Sequence, residues 1–229
     1  MAPVPPARVV IAPVVRVDHE GTAAEFHAAR PEFGAHTTEL HVYWLVAPAL
    51  VIGSTQSPDG VDRGACASQG IDVVRRRSGG GAVLLTPGDI GWIDVVVPRG
   101  APGWADDINA PMEWLGAHFV ALLTAHDEDP WSVHRGALLE TEWSRTICFD
   151  GVGAGEVLRG DAKAIGISQR RTRGAARMQC LWYMRYEPAD LTALFHPPRP
   201  ELDELREVAT IGPERSTMLV DGLPDRLNS

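Results

Sequence analysis

The sequence predicts an α+β fold in which helices flank a mixed, largely antiparallel sheet. Strand-like stretches outnumber helical ones along the 229 residues, and most of them are joined by short turns rather than by helical crossovers. One segment, residues 106–125, has the periodicity of a long helix. Because domains typically have about 100–200 residues, we expect a single domain over residues 1–229, of which 196–229 form a short C-terminal appendage.

The first half of the chain alternates short strands with short helices. We expect an extended lead-in with an edge strand near residues 9–17, broken by Pro13. A helix follows at 22–29, where Thr22 and Glu25 have the spacing of a capping box. The remaining patterns predict a helix at 62–69 that stops at Gly70, and strands at 40–45, 49–52, 71–75, 82–85 and 92–97.

The long helix at 106–125 presents one apolar face to the core. Its apolar residues step by four, three, four and three, which is the helical period: Ile108, Met112, Leu115, Phe119 and Leu122. Asp106 or Asp107 can cap its start, and Pro111 is tolerated in its first turn. The remainder predicts strands at 147–149, 156–159, 163–169 and 178–186, and two closing helices at 189–195 and 201–209.

Composition and charge exclude several classes of protein. Hydrophobic residues make up 45% and charged residues 22%, which is typical of a globular domain. The net charge of −9 argues against a general partner among nucleic acids or anionic membranes, because neutralising phosphates requires excess basic charge. The longest apolar stretch, residues 42–53, is too short for a bilayer, which needs about 20 residues. We therefore expect a cytoplasmic protein.

The cysteines and histidines do not form the common metal or hydrolase motifs. Cys66, Cys148 and Cys180 are widely spaced and include no CxxC pair, which argues against a disulfide framework and a structural zinc site. No HExxH or GxSxG motif is present. The glycine-rich loop at 151–155 has the spacing GxGxG and no helix pattern after it, so it does not indicate a dinucleotide site.

Three consecutive glycines follow three arginines in residues 75–83, RRRSGGGAV. Glycines without Cβ atoms let a ligand approach the backbone closely, and their amides can point into one concavity. Arginines beside such a loop can neutralise a carboxylate or a phosphate. The segment therefore indicates anion binding, and the alternative is a hairpin turn with a solvated basic edge.

Lys163 is the only lysine among 21 basic residues, the other 20 being arginine. The two residue types are exchangeable on a solvated surface, but not where a compact ammonium must contact a ligand oxygen. Lys163 follows a turn and begins a predicted strand, which places it where ligands commonly bind. The alternative is chance.

Cys148 is followed by Phe149 in an apolar neighbourhood. Such a cysteine is either a small core residue or a nucleophile, if a nearby cation or base stabilises its thiolate. Cys180 lies within a predicted strand and is expected in the core.

Together these segments resemble the lipoate–protein ligase family, within the wider group of biotin and lipoate ligases and octanoyltransferases. Residues 75–83 and 163–171 carry the resemblance, with weaker matches at 42–56 and 155–158. It covers roughly residues 38–195 and implies a biotin/lipoate ligase-like catalytic domain, without the accessory domain of many bacterial ligases. It also implies a tunnel for an eight-carbon acyl chain.

The resemblance implies that a lipoyl or octanoyl group is attached to the lysine of a lipoyl carrier domain. In ligases, lipoate or octanoate reacts with MgATP to give an acyl-adenylate. Lys163 would be catalytic, bridging the acyl carbonyl and the α-phosphate, and Glu156 could hold Mg²⁺. The residues implied to bind substrate or nucleotide are Arg76, Ser78, Gly79, Gly80, Gly81, Ala82, Glu156, Gly166 and Ser168. For Arg76 the implied role is either to support the glycine loop or to contact phosphate. The implied partner is a 2-oxoacid dehydrogenase subunit or the glycine cleavage carrier protein, with a separate accessory polypeptide as a further candidate.

Departures from the ligase pattern keep two other functions open. Residues 84–87 read Leu-Leu-Thr-Pro, where the ligases usually have an aromatic residue, His and Asp, and Gly155-Glu156 stands where they often have Asn-Asp. Some octanoyltransferases and amidotransferases of this group form a thioester on a cysteine in a Cys-Phe setting, to which Cys148-Phe149 is similar. The first alternative is therefore a Cys148-dependent transferase that uses an acyl-thioester or acyl-protein donor. The second is a homologue that binds a lipoyl group or an adenylate without catalysis.

Overall fold

The computed structural model of the protein describes residues 13–29, 37–126 and 128–228. Within these ranges ten strands form two sheets, and five helices lie around them. The strands are β1 Val15–Gly21, β2 Glu39–Leu45, β3 Ala49–Ile52, β4 Asp72–Arg75, β5 Val83–Leu85, β6 Ile90–Pro98, β7 Trp131–Val133, β8 Val157–Arg159, β9 Ala162–Arg171 and β10 Ala175–Tyr183. The helices are α1 Ala23–Ala28, α2 Arg63–Ser68, α3 Ala110–Thr124, α4 Pro188–Thr192 and α5 Pro213–Leu227.

The larger sheet has seven strands in the order β1-β2-β6-β10-β9-β8-β7. Only its first pair, β1 and β2, runs parallel, and the other neighbours are antiparallel. The smaller sheet has the order β4-β3-β5, with β4 parallel and β5 antiparallel to β3. The predicted α+β fold with a mixed, largely antiparallel sheet is therefore confirmed.

The two faces of the larger sheet pack against different partners. On one face, Leu115 and Phe119 of α3 and Leu223 of α5 share a core with residues of β6, β9 and β10 such as Ile165 and Met178. Since side chains alternate along a strand, the next residues on the same strands face the other way. That second face is covered by α1 and by the smaller sheet. The candidate site lies between the two sheets.

Most predicted strands and the helix after Thr22 are confirmed. Thr22 caps α1 with the predicted capping box, in which the Thr22 side chain accepts from the Glu25 backbone and the Glu25 carboxylate accepts from the Thr22 backbone N–H. The strand expected near 9–17 lies partly outside the described residues, and β1 at its end is an edge strand of the larger sheet. None of the helices in the described ranges combines the length and apolar character that crossing a membrane requires.

The long helix begins later than predicted, at Ala110 rather than near residue 106. Proline is best tolerated in the first turn of a helix, and Pro111 occupies that turn when the helix begins at Ala110. Asp107 does contribute, because its Oδ1 accepts bonds from the backbone N–H groups of Asn109 and Ala110, both at 2.8 Å. Ile108 therefore lies ahead of the helix and is 63% exposed, which corrects its assignment to the apolar face.

Three further predictions of secondary structure are wrong. The strand expected at 147–149 is a 3-10 turn over Cys148–Asp150, and the helix expected at 201–209 shrinks to a 3-10 turn over Leu202–Glu204. No helix was expected beyond 209, yet α5 forms despite an internal proline, Pro224. Burial of Leu219 and Leu223 against α3 and the sheet outweighs the weak helix propensity of the segment. The single-domain organisation stays a prediction.

Candidate functional site

A cavity of about 900 Å³ lies beside the triple-glycine loop. A narrower, largely apolar pocket of about 50 Å³ adjoins it. Cys148, Glu156, Ile167 and Ser168 line both spaces, so they mark the junction between them. The predicted site residues that line one or both spaces are Arg76, Gly79, Gly80, Gly81, Cys148, Glu156, Lys163, Gly166 and Ser168.

The narrow pocket runs across three strands of the larger sheet. Gly166 of β9 pairs with Leu181 of β10, which pairs with Trp92 of β6, and all three line the pocket. Because neighbouring strands are about 4.8 Å apart, the pocket extends for about 10 Å from the Cys148 junction. That length and its apolar walls suit an extended acyl chain of about eight carbons.

The glycine loop holds the Cys148 segment close to the sheet. Ala82 and Ile147 form an isolated parallel bridge, in which Ala82 N donates to Thr146 O at 2.7 Å and Cys148 N donates to Ala82 O at 2.9 Å. A Cβ on Gly81 would lie 2.7 Å from the Ile147 backbone nitrogen. The missing side chain therefore admits the protein's own Cys148 segment.

The other two glycines of the loop differ from each other. Gly80 has a φ of +93°, and a Cβ there would lie 2.8 Å from Nη2 of Arg76. At Gly79 a Cβ would meet no atom within 4 Å, although Gly79 also lines the cavity. At Gly80 and Gly81, therefore, parts of the chain itself occupy the space that a ligand was expected to approach. Of the three glycines, only Gly79 faces open space.

Arg76 is buried beneath the loop and supports it. Its Nε and Nη2 donate to Gly79 O at 3.1 and 2.8 Å, and Nη2 also donates to Gly81 O at 2.8 Å. The same Nη2 lies 3.6 Å from Sγ of Cys148. Arg76 therefore fixes the loop and places a positive charge beside the sulfur.

Lys163 is almost fully buried and has a partner for each of its three N–H donors. Nζ donates to Cys148 O at 3.0 Å and to Gly151 O at 2.9 Å, and it lies 2.7 Å from Oε2 of Glu156. The ammonium also sits 4.8 Å from the centre of the Phe149 ring. In this arrangement Lys163 holds the Cys148 turn in place, and it would have to release a partner before contacting an acyl carbonyl.

The carboxylate of Glu156 is fixed on both oxygens. Oε2 accepts from Gly153 N at 2.7 Å in addition to Lys163, and Oε1 accepts from Ile167 N at 3.1 Å. A Mg²⁺ ion at Glu156 would have to displace these partners. In the described ranges, no group of three or more His, Cys, Asp or Glu side chains could hold a metal ion. The residues present therefore do not fit the Mg²⁺ site expected at Glu156.

Of the remaining predicted residues, Gly166 and Ser168 line the site, whereas Ser78 and Ala82 line neither space. Ser168 Oγ donates to Ser78 Oγ at 3.1 Å, and Ser78 Oγ donates to Gln179 Oε1 at 3.1 Å. A Cβ on Gly166 would lie 3.3 Å from the Phe149 ring, so glycine lets that ring pack over the strand. Ala82 is fully buried and acts through its backbone.

Sequence reasoning missed His27, which lines the narrow pocket near Trp92. Burial, followed by the charges of Arg177, Arg76 and Arg77, lowers the pKa of His27 to about 4. The imidazole is thus neutral near pH 7. A single histidine in a short helix gives no sequence signal, because its position against β6 depends on the packing of α1.

A buried polar network that the sequence did not indicate lies beside this end of the pocket. The carboxylate of Asp94 accepts from Tyr43 Oη at 3.2 Å, from Trp92 Nε1 at 3.1 Å and from Arg177. Arg177 Nη2 also donates to Tyr43 Oη at 3.1 Å. The network satisfies a fully buried carboxylate and fixes Trp92 in the pocket wall.

Comparison with protein families matches residues 27–228 to the lipoyl protein ligase A/B catalytic domain. The match extends beyond residues 38–195 at both ends and includes α5. Comparison with curated proteins gave no significant match.

Solved structures similar to this chain share its fold at low sequence identity. A putative lipoate protein ligase from T. acidophilum with bound lipoic acid is 19% identical over 94% of this chain and 86% of its own, with a TM-score of 0.65. A structure of a bi-partite lipoate protein ligase and its E2 lipoyl domain from Thermoplasma acidophilum is 18% identical over 94% and 83%, with a TM-score of 0.62. A lipoate-protein ligase A bound with ATP is 18% identical over 93% and 94%, with a TM-score of 0.55.

Proposed function

Since the chain belongs to the lipoyl protein ligase A/B catalytic domain family, we propose that it transfers an octanoyl or lipoyl group to the lysine of a lipoyl domain through Cys148. One observation carries the proposal. Cys148 lies at the junction of the narrow apolar pocket and the large cavity, with the Arg76 guanidinium 3.6 Å from its sulfur. A nucleophile at this position meets an acyl carbonyl whose chain fills the pocket.

In the first step, the Cys148 thiolate attacks the carbonyl carbon of an acyl-thioester donor. A bond from Sγ to the acyl carbon forms, and the bond from that carbon to the donor sulfur breaks. The donor leaves as a thiolate and takes up the proton that Cys148 has lost. The Arg76 guanidinium lies 3.6 Å from the reacting sulfur and would stabilise the negative charge on it.

In the second step, the ε-amine of the carrier lysine enters through the large cavity and attacks the Cys148 thioester. The amide C–N bond forms, the C–S bond breaks, and an amine proton passes to the departing sulfur. Lys163 acts as a positioning residue in both steps, because it holds the carbonyl of Cys148 and that of Gly151. The turn that carries the nucleophile is thereby kept at the mouth of the pocket.

The test is transfer from an octanoyl carrier protein to a lipoyl domain, followed by intact mass. Wild-type protein should acquire one octanoyl group on Cys148 and pass it to the lipoyl domain. Cys148→Ala should do neither, whereas Cys66→Ala, which removes a buried thiol elsewhere in the core, should retain transfer. Full transfer by Cys148→Ala would refute the covalent route.

An ATP-dependent ligase is the second candidate, and the size of the large cavity favours it. About 900 Å³ beside Gly79, Gly80 and Gly81 exceeds what an acyl chain requires and could hold a nucleotide. Octanoate and MgATP should then support transfer by both wild-type protein and Cys148→Ala. Binding of octanoate without transfer under either condition would instead indicate a non-catalytic homologue.

A further inference from the structure

The buried pair of Glu156 and Lys163 controls the charge at the junction of the two spaces. We infer that Glu156 selects the acyl donor, so that the site takes a neutral thioester and disfavours an anionic acyl phosphate. This inference rests on the proposed acyl transfer at the same site.

Lys163 has no donor to offer an incoming phosphate. Two of its N–H groups point at the carbonyls of Cys148 and Gly151, and the third at Glu156. A phosphate is bound by charge-assisted hydrogen bonds from cationic or backbone donors. Engaging Lys163 would therefore break one of these three bonds, and loss of the bond to Glu156 would leave a buried carboxylate without its cation, which is strongly unfavourable.

Glu156 itself is held in place by the backbone. Gly153 N and Ile167 N donate to its two oxygens at 2.7 and 3.1 Å, so the carboxylate cannot leave the junction without orphaning these donors. Glu156 lines both the large cavity and the narrow pocket. A second anion at the junction would thus compete with the Glu156 carboxylate for the ammonium of Lys163.

A thioester avoids this competition because it brings no phosphate next to the reacting carbon. The negative charge that develops on its carbonyl oxygen arises beside Sγ of Cys148, where Arg76 lies. Among the described residues that line the large cavity, the basic ones are Lys163 and Arg145. Arg145 is largely exposed at the rim and lies near Glu140, so it does not replace Lys163 at the junction.

The test measures binding of two octanoyl compounds to protein whose Cys148 is replaced by alanine, so that no transfer occurs. Octanoyl-AMP carries an anionic phosphate next to the acyl group, and octanoyl-pantetheine is a neutral thioester. Glu156→Gln should lower the Kd for octanoyl-AMP at least tenfold and change that for octanoyl-pantetheine less than twofold. Glu140→Gln is the matched control, since it removes the same charge from the cavity rim, and it should leave the ratio of the two constants unchanged.

The inference would be overturned if Glu156→Gln left the ratio of the two Kd values unchanged, or if it weakened the binding of both compounds equally. A second comparison does not depend on the variant folding. Protein that retains Glu156 should bind octanoyl-AMP at least tenfold more weakly than the neutral ester 5′-O-octanoyl-adenosine, and the reverse order would contradict the inference.

Transfer from an octanoyl carrier protein by the wild-type chain is measured in parallel. Absence of transfer together with the expected binding ratio would refute the acyltransferase and support charge selection by Glu156. Transfer together with an unchanged ratio would support the acyltransferase and refute charge selection by Glu156.

Discussion

Replacing Gly81 by alanine should dislodge the segment that carries Cys148. The new Cβ would lie 2.7 Å from the backbone carbon and nitrogen of Ile147 and 2.8 Å from the nitrogen of Cys148. These are backbone atoms between two hydrogen bonds to Ala82, so they cannot move away as a flexible side chain would. Gly79→Ala is the matched control, because its Cβ would meet no atom within 4 Å.

The expected cost of Gly81→Ala follows from the contacts that must give way. Overpacking a tight contact costs about 1–3 kcal/mol, and each of the two backbone hydrogen bonds to Ala82 contributes about 1 kcal/mol. We expect the free energy of unfolding to fall by about 3–5 kcal/mol in Gly81→Ala if both hydrogen bonds are lost. The change in Gly79→Ala should stay within about 0.5 kcal/mol, as at other open surface positions.

Two measurements check this prediction. Urea unfolding gives the free-energy difference, and peptide mass mapping gives the rate at which iodoacetamide alkylates Cys148. The alkylation rate should change severalfold in Gly81→Ala and remain near the wild-type rate in Gly79→Ala. Identical stability and identical alkylation in the two variants would refute the reasoning that Gly81 exists to admit the Cys148 segment.

Two further predictions concern buried charge. Lys163→Met should abolish transfer and lower the free energy of unfolding by about 3–5 kcal/mol, because it leaves Glu156 buried without its partner. In the double variant with Glu156→Gln, urea unfolding should show that much of the stability returns, whereas transfer should remain absent. The pKa of His27 is lowered to about 4 in the folded protein. In the unfolded protein, His27 takes up a proton below about pH 6.5, where the folded protein still holds it neutral. The free energy of unfolding should therefore decrease as the pH falls from about 6.5 to 4, by at most about 3 kcal/mol. This pH dependence should be missing in His27→Gln. Urea unfolding at a series of pH values would contradict the lowered pKa if the wild-type protein and His27→Gln showed the same pH dependence.

Short-range patterns were sufficient for most of the strands and for the first helix. Thr22 and Glu25 form the capping box that their spacing indicates, because a cap is made within a few residues of chain. The alternation and turn signals likewise located most strands of both sheets. The missed helix α5 shows the limit of such patterns, since its stability comes from the burial of Leu219 and Leu223 against distant elements and not from its own propensity.

The candidate site divides in the same way. The unusual residues at 75–83 and at Lys163 could be noticed in the sequence, because glycine repetition and a single lysine are properties of composition. The roles of these residues could not be read from the sequence. Arg76 bonds to the loop's own carbonyls, whereas the sequence allowed either this or contact with phosphate. His27 carries no local signal, and it reaches the pocket only because α1 packs across the larger sheet.

The sequence by itself determined the α+β class, the family resemblance and the segments that meet at the site. Only the tertiary structure decided what those segments do there: Gly81 admits the Cys148 segment, Gly80 admits the guanidinium of Arg76, and Lys163 is paired with Glu156 and two carbonyls. The physical reason is that local patterns report a residue's own conformational preferences. Hydrogen-bond partners, burial and neighbouring charge are set by residues far away along the chain, and the chemistry of the site depends on these.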